Sequence, residues 1–420
     1  MSAAEAALRR LLAEVFFESL VALDPARLVA EALPPRPPEG ARVRLFAAGK
    51  AAAAMARGAL SRWGDSIEAT LVVTVDGAPI DWTGLDLRST PVVLHAAHPV
   101  PDERSLAAAH AALAHVRGLG PDDRVLALIS GGSSALLVLP PPGLDLEDER
   151  RVVRALLEAG APIHDVNLVR RHLSRIKGGR LAVAAAPALV ETLALSDVVG
   201  GALHDIGSGP TVPDPTTAAE ARAALARYAP AELAARLAPS LDDTTEQPFS
   251  TRTEARLLAG PEDFARAAAA NLSARGFSVR IEPPEGGDAR DVVEKRLVQA
   301  AALAPGSALV VACEPTLALP PVRGRGGRAG WVALAAMKKL PPGVALLCGA
   351  SDGTDGSSSA AGAVVSLGAA GDFDAERIDA ALAGYDDAAI HRALGTAIDT
   401  GPTGQNLTDL HILARVFPEN

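Results

Sequence analysis

Apolar residues recur at spacings of three and four over residues 3–33, with Leu8, Leu11, Leu12, Val15 and Phe16 on one stripe. This predicts an amphipathic helix, which the run Pro34-Pro-Arg-Pro-Pro38 ends. Beyond it the pattern alternates. Continuous apolar runs at 43–47, 69–75 and 125–129 read as buried strands, while 3.6-residue periodicity after Lys50, over 105–116 and after Ser134 reads as helix. A further strand is expected at 189–195, followed by a long connection over 196–217 and a helix from about residue 218. The pattern fades over 239–253, a polar stretch expected to be a linker. It then resumes with strands at 255–259, 278–281, 308–313 and 344–348 and helices at 261–275 and near 289–302. Strands alternating with helices argue for helices packed on the faces of sheets, so the expected class is α/β, in two domains spanning 1–240 and 250–420. The helix at 1–33 is a candidate to pack on the second of these.

Composition narrows the chemistry. A chain of 420 residues is long for one core, and a hydrophobic content of 49 % can fill two. The formal net charge of −10 argues against a general nucleic-acid or membrane-surface partner, so an anionic ligand must be met by local clusters of cations. Two cysteines, Cys313 and Cys348, both in apolar runs, exclude a disulfide framework. The amphipathic start and the lack of a long uncharged apolar run lead to the expectation of a cytoplasmic protein. A homodimer is the candidate assembly.

Two Gly/Ser-rich loops leave apolar strands: Ser130-Gly131-Gly132-Ser133-Ser134, and Gly349-Ala-Ser351-Asp352-Gly353-Thr354-Asp355-Gly356. Glycine lets backbone approach an anion closely and hydroxyls supply donors, so both read as phosphate cradles; the structural alternative is a tight strand-to-helix connection. Neither is a Walker A sequence. Asp352 and Asp355 are suited to a hard cation such as Mg²⁺ beside phosphates. Lys50 falls where a strand turns into a helix, an unfavourable place for a cation unless an anion is near. Residues 167–180 carry Arg170, Arg171, Arg175, Lys177 and Arg180, an anion site or a solvated basic face. Arg323, Arg325 and Arg328 lie on a glycine-rich backbone before a helix, as phosphoryl-transfer chemistry can use. Asp197 follows a strand where α/β sheets place ligands. His98 in His98-Pro-Val-Pro-Asp102 reads as a structural histidine, and Thr400-Gly-Pro-Thr403-Gly404 combines a turn with a helix-capping pattern.

Taken together these segments resemble the glycerate 2-kinase family, the two-domain type with a C-terminal MOFRL domain. The resemblance runs through Ala48-Gly-Lys-Ala51, His98–Glu103, Ile129–Leu136, Val169–Arg180, 195–217, Asp352–Gly356 and Thr400–Gly404, in order along nearly the whole chain. It implies a first domain that is Rossmann-like with a mostly parallel sheet, a smaller second domain with a mixed sheet, and an active site in the cleft between them. It also implies transfer of the γ-phosphoryl of ATP, with Mg²⁺, to the 2-hydroxyl of D-glycerate. On that basis Ser130, Gly131, Gly132, Ser133, Ser134, Lys177, Gly353 and Thr354 would hold the nucleotide, Asp352 and Asp355 the metal. Lys50 would neutralise the moving phosphoryl group or the glycerate carboxylate, Arg325 and Arg328 would stabilise transition-state charge, and Asp197 would orient or deprotonate the acceptor hydroxyl.

One stretch departs from the family. Its Gly-Gly-Arg segment usually continues with Asn-Gln or similar polar residues, whereas here it reads Gly327-Arg328-Ala329-Gly330-Trp331. Two other readings stay open. The 324–330 glycines resemble a loose dinucleotide turn, which would suit an NAD(P)H-dependent hydroxypyruvate reductase, and the altered segment would also suit a non-catalytic nucleotide- or sugar-acid-binding homologue.

Overall fold

The computed structural model describes residues 2–241, 252–370 and 374–418, so most of the expected linker at 239–253 lies outside the described residues. The chain divides into two compact units, Pro25–Leu258 and the pairing of Met1–Asp24 with Ala259–Asn420. The single helix expected over 3–33 is in fact two, Ala3–Ala22 and Pro25–Ala32. Pro25 lacks the amide that extending the first helix needs, while its fixed φ suits a first turn.

In the unit Pro25–Leu258 the strands are β1 (Val43–Ala48), β2 (Ile67–Val75), β3 (Val92–Ala96), β4 (Arg124–Ser130), β5 (Leu189–Leu195) and β6 (Thr253–Ala259), in the spatial order β3-β2-β1-β4-β5-β6. The ladders from β3 through β5 are parallel. Burial on both faces explains the continuous apolar runs: in β4 every residue after Arg124 is buried. Helix Glu103–Val116 packs one face through Ala108, Ala109, Ala112 and Leu113, against Phe46, Val73 and Ile129. A separate apolar cluster, with Val152, Val169, Ala221 and Leu225, joins helices Leu146–Glu158, Ile163–His172 and Ala218–Tyr228. Because β1 leads outward to β2 and β3 whereas β4 leads to β5 on the other side, the winding reverses between β1 and β4. The carboxyl ends of those two strands form the switch point where such sheets bind ligands.

The other unit is built on a mixed sheet of β7 (Ser278–Ile281), β8 (Glu285–Asp288), β9 (Ser307–Thr316), β10 (Val344–Ala350), β11 (Gly362–Ser366), β12 (Ala397–Ile398) and β13 (Asp409–Arg415). Its order is β12-β11-β10-β13-β9-β7, with β8 also on β9. The helix cap suggested around 400–408 instead leads into β13, which pairs antiparallel with both β10 and β9. Two ladder partners override a local capping signal. Helix Arg328–Met337 covers the face carrying Val311, Cys313, Leu346 and Cys348. Helix Ala3–Ala22 belongs to this unit, its Phe16 ring fully buried against Phe264 with centroids 5.9 Å apart. Among the described residues no helix is long and apolar enough to cross a membrane.

Phe16 leaves a large void if truncated. Phe16→Ala is expected to destabilise this unit by about 3–5 kcal/mol, measured by denaturant unfolding; a change below about 1 kcal/mol would show that the N-terminal helix is not integral to it.

Candidate active site

Register places several of the expected site residues along one edge of the parallel sheet. Ala48 is level with Ile129 and Ser130 with Leu195, so Lys50, the 131–134 loop and Asp197 all leave the sheet at its carboxyl edge. Val75 is level with Ala96, which brings His98 to the same edge. The ends of β1 and β4 are tied directly: the Lys50 N–H donates to the Gly131 carbonyl at 3.0 Å and the Ala51 N–H to the Ser130 hydroxyl at 3.1 Å. Gly49, at φ 124, permits this, since a Cβ there would overlap Ser130. Gly132 also has a positive φ, 84, and a Cβ on it would meet Lys50 Cγ at 3.2 Å and His98 Cδ2 at 3.3 Å. Lys50, His98 and Gly132 therefore converge on one point, beside Ser133. The sequence had weighted His98 as structural; the signal available was its position just past a strand.

The basic motif has a different fate. Arg171 is wholly buried and bonds Asp214 (Nε to Oδ2, 3.1 Å) and Asp205 (Nη1 to Oδ1, 3.3 Å), which pins the 196–217 connection to helix Ile163–His172. Gly178 and Gly179 donate to the carbonyls of Ser208 and Gly209 at 3.0 and 2.7 Å, and the Ser208 and Ser134 hydroxyls lie 2.8 Å apart. The connection is thus ordered from the motif on one side and the serine loop on the other. Lys177 is buried with its Nζ 3.1 Å from Glu149 Oε1; burial pushes its pKa down and the Glu149 charge opposes that. It stands in an internal ion pair.

In the other unit the 324–330, 351–357 and 400–408 segments meet. Thr403 N–H donates to the Asp352 carbonyl at 3.1 Å, Thr354 N–H to Asp352 Oδ1 at 3.1 Å, and Ser357 N–H to the Gly326 carbonyl at 2.8 Å. Gly353 is buried against Gly401, and the Thr354 side chain is exposed. Arg328 forks onto Asp409 (2.7 and 3.1 Å) and reaches Glu314 at 3.2 Å, whereas Arg325 is exposed. Asp355 accepts the Ala329 and Gly330 amides at 3.1 and 2.7 Å, capping helix Arg328–Met337. Burial, then the charge of Asp409, pushes the Asp355 pKa up to about 8, and burial pushes that of Asp387 up to about 7.

These donor sets fit the two groups that phosphoryl transfer implies unequally. The Ser133 hydroxyl, in the loop that Lys50 and His98 approach at Gly132, is buried without a hydrogen-bond partner, a spare donor of the kind a phosphate oxygen uses; it packs on Gly207 of the 196–217 connection, where a Cβ would overlap it. For a resident metal ion the fit fails. Asp355 is committed to two amides, and among the described residues no group of three or more His, Cys, Asp or Glu could hold one.

Comparison with known proteins places the chain in a family. Residues 11–242 match the family described as a domain of unknown function, DUF4147, and residues 307–409 match the MOFRL family. The D-glycerate 2-kinase of Thermotoga maritima is 34 % identical over 420 residues, covering 96 % of this chain and 98 % of that one. A protein of Agrobacterium vitis provisionally named hydroxypyruvate reductase is 39 % identical, covering 96 % and 94 %. The crystal structure of a Thermotoga maritima glycerate kinase superposes with a TM-score of 0.82 at 33 % identity, covering 98 % of this chain and all of that one. The chain belongs to the glycerate 2-kinase family. Within that family, the departure at Ala329-Gly330 falls where Asp355 receives both amides, so backbone rather than side chains makes the contact there.

Two expectations separate structural from exposed charges. Arg328→Ala strands a buried Asp409 carboxylate and is expected to cost about 3 kcal/mol of stability; Arg325→Ala, at an exposed position, should change it by less than about 0.5 kcal/mol. Paired urea titrations that gave equal losses would contradict this. For pH the sign follows from the raised values. Asp355 and Asp387 titrate near 4 when unfolded but at about 8 and about 7 when folded, so the unfolded chain releases protons that the folded one keeps. Stability should therefore decline as pH rises from about 4 to 8, and Asp387→Asn should flatten the lower part of that decline. Melting temperatures collected across this range check it.

Proposed function

We propose that this protein transfers the γ-phosphoryl group of ATP, supplied as its Mg²⁺ complex, to the 2-hydroxyl of D-glycerate, giving 2-phosphoglycerate and ADP. The hydroxyl oxygen attacks phosphorus, the bond to the β-phosphate oxygen breaks, and the hydroxyl proton is released. The observation that carries the reading is the convergence of Lys50 and His98 on Gly132, in the loop that also carries the unsatisfied Ser133 hydroxyl. Names carried by the relatives, D-glycerate 2-kinase in Thermotoga maritima and glycerate 2-kinase in Pyrococcus horikoshii, support it.

In this reading the 130–134 loop holds phosphate oxygens through Ser133 and backbone donors, and Lys50 supplies the positive charge nearest to them. Asp197 accepts or orients the acceptor hydroxyl. Arg325 contributes a guanidinium fork to the charge that grows on the transferring group. Arg328 and Lys177, held by Asp409 and Glu149, act through the backbone they anchor. No covalent nucleophile is required, because phosphoryl transfer is governed by placement and electrostatics. The Agrobacterium vitis relative's name raises hydride transfer instead, but the amides that a dinucleotide turn would offer at 329 and 330 are occupied by Asp355.

Incubation with ATP and D-glycerate should release ADP and yield the 2-phosphorylated acid by NMR, whereas NADH with hydroxypyruvate should give no oxidation. NADH consumption without ADP formation reverses the assignment. Lys50→Ala should lower kcat by roughly 10²–10³-fold, as loss of one preorganised charge does, and a rate within a few-fold of the parent removes Lys50 from the site.

A further inference from the structure

The segment Gly324–Gly330 has the composition of an anion nest, yet six of its seven amides already have partners inside the protein. Gly324 N–H donates to the Gly384 carbonyl at 2.8 Å and Arg325 N–H to Asp386 Oδ1 at 2.9 Å. Gly326 N–H reaches Ser357 Oγ at 3.1 Å, Gly327 N–H reaches Asp387 Oδ2 at 3.4 Å, and Asp355 takes those of Ala329 and Gly330. The carbonyls are engaged too, Arg325 O by Ala388 N–H at 3.1 Å and Gly326 O by Ser357 N–H at 2.8 Å. A ligand phosphate therefore meets no row of open amides here. What the segment turns outward is the exposed side chain of Arg325.

Asp387 holds the bend in a way its neighbours do not. It opens helix Asp387–Leu394 and is 2 % exposed. Its carboxylate packs on the α-carbons of both Gly326 and Gly330: a Cβ at either position would overlap an Asp387 oxygen. The same side chain accepts the Gly327 amide between them. One carboxylate thus wedges the bend from before the arginine helix to its first turn, and glycine is needed at both ends because the carboxylate occupies the space of a side chain. His391, one helical turn further on, fixes the same point by its Nε2 contact with the Gly330 carbonyl at 2.9 Å.

We infer that Asp387 is a positioning residue for Arg325, locking the flexible 324–330 backbone so that the guanidinium is presented in one orientation. The inference rests on the proposal above that Arg325 acts in phosphoryl transfer. Asp387 itself does not touch substrate. Its effect is entropic and geometric: an unpinned bend with four glycines in seven residues samples many backbone conformations, and a long arginine side chain magnifies each into a displaced charge.

The test is steady-state kinetics with ATP and D-glycerate, plus melting temperatures, on the full chain carrying Arg325→Ala, Asp387→Asn, Asp387→Ala, Gly330→Ala and the last two combined. Asp387→Ala and Gly330→Ala should each lower kcat by about 10–100-fold, the scale of a misplacement of about an ångström, with KM for both substrates within about threefold of the parent. Asp387→Asn, which keeps the shape and an acceptor for Gly327, should retain kcat within about threefold, and the double variant should be no worse than Asp387→Ala, because both changes remove the same wedge. Folded Asp387→Ala with near-parental kcat, while Arg325→Ala loses at least 100-fold, overturns the inference and leaves the proposed function standing. Near-parental Arg325→Ala overturns the role of that arginine, and the inference with it. If Asp387→Ala does not fold, Gly330→Ala decides: folded and fully active, it overturns the inference. Loss in Asp387→Asn equal to that in Asp387→Ala also overturns it, since charge rather than placement would then matter.

Discussion

The bonds that tie the end of β1 to the end of β4 decide where this protein can place a cation against an anion. Parallel strands diverge at a point of reversed winding, and the gap there would be open were it not for Lys50 N–H on the Gly131 carbonyl and Ala51 N–H on the Ser130 hydroxyl. The two contacts fix the backbone on both sides of Lys50. They also consume the Ser130 hydroxyl in structure and leave that of Ser133 without a partner. Adjoining positions of one loop thus divide these duties, Ser130 closing the backbone while Ser133 keeps a hydroxyl without a partner, packed on Gly207.

The same division recurs in the unit built on the mixed sheet, with carboxylates in place of serine. Asp355, Asp386 and Asp387 accept four amides of a glycine-rich bend, those of Arg325, Gly327, Ala329 and Gly330. Packing three acids around one backbone is costly when all are ionised, which is why burial drives Asp355 and Asp387 toward their neutral forms. The cost is tolerable because the amides at the start of helix Arg328–Met337 supply a compensating positive field. Order in the bend is thus obtained electrostatically rather than from an apolar side chain, which would not fit.

Most of the framework could be read from the chain because buried parallel strands advertise themselves. β5 and β7 fall on the expected runs, and the carboxyl-edge placement of Lys50 and the 130–134 loop follows once β1 and β4 are neighbours. What could not be read is long-range partnership. Arg171 meets acids 34 and 43 residues away, and the 324–330 bend meets Asp386 some 61 residues away. No spacing rule announces such pairs. Local signals misled where tertiary pairing outweighed them, as at β13, whose approach looks like a helix cap yet feeds a strand with partners on both sides. The glycines of 324–330 resemble a dinucleotide turn in the sequence, but the group that packs against them is the protein's own carboxylate.

Charge bookkeeping explains why a motif rich in arginine and lysine need not bind ligand. In a chain of net charge −10, several cations that the fold buries meet an internal carboxylate. Arg171 has two, Lys177 has Glu149, Arg296 has Glu285 and Arg328 has Asp409. Each such pair contributes little net stability once desolvation is counted, but removal of either member leaves an uncompensated charge, so the pairs specify loop placement more than they hold the fold together. In the function proposed above, the cations that meet the anionic substrate are instead those at loop mouths, Lys50 at the switch point and Arg325 on its bend.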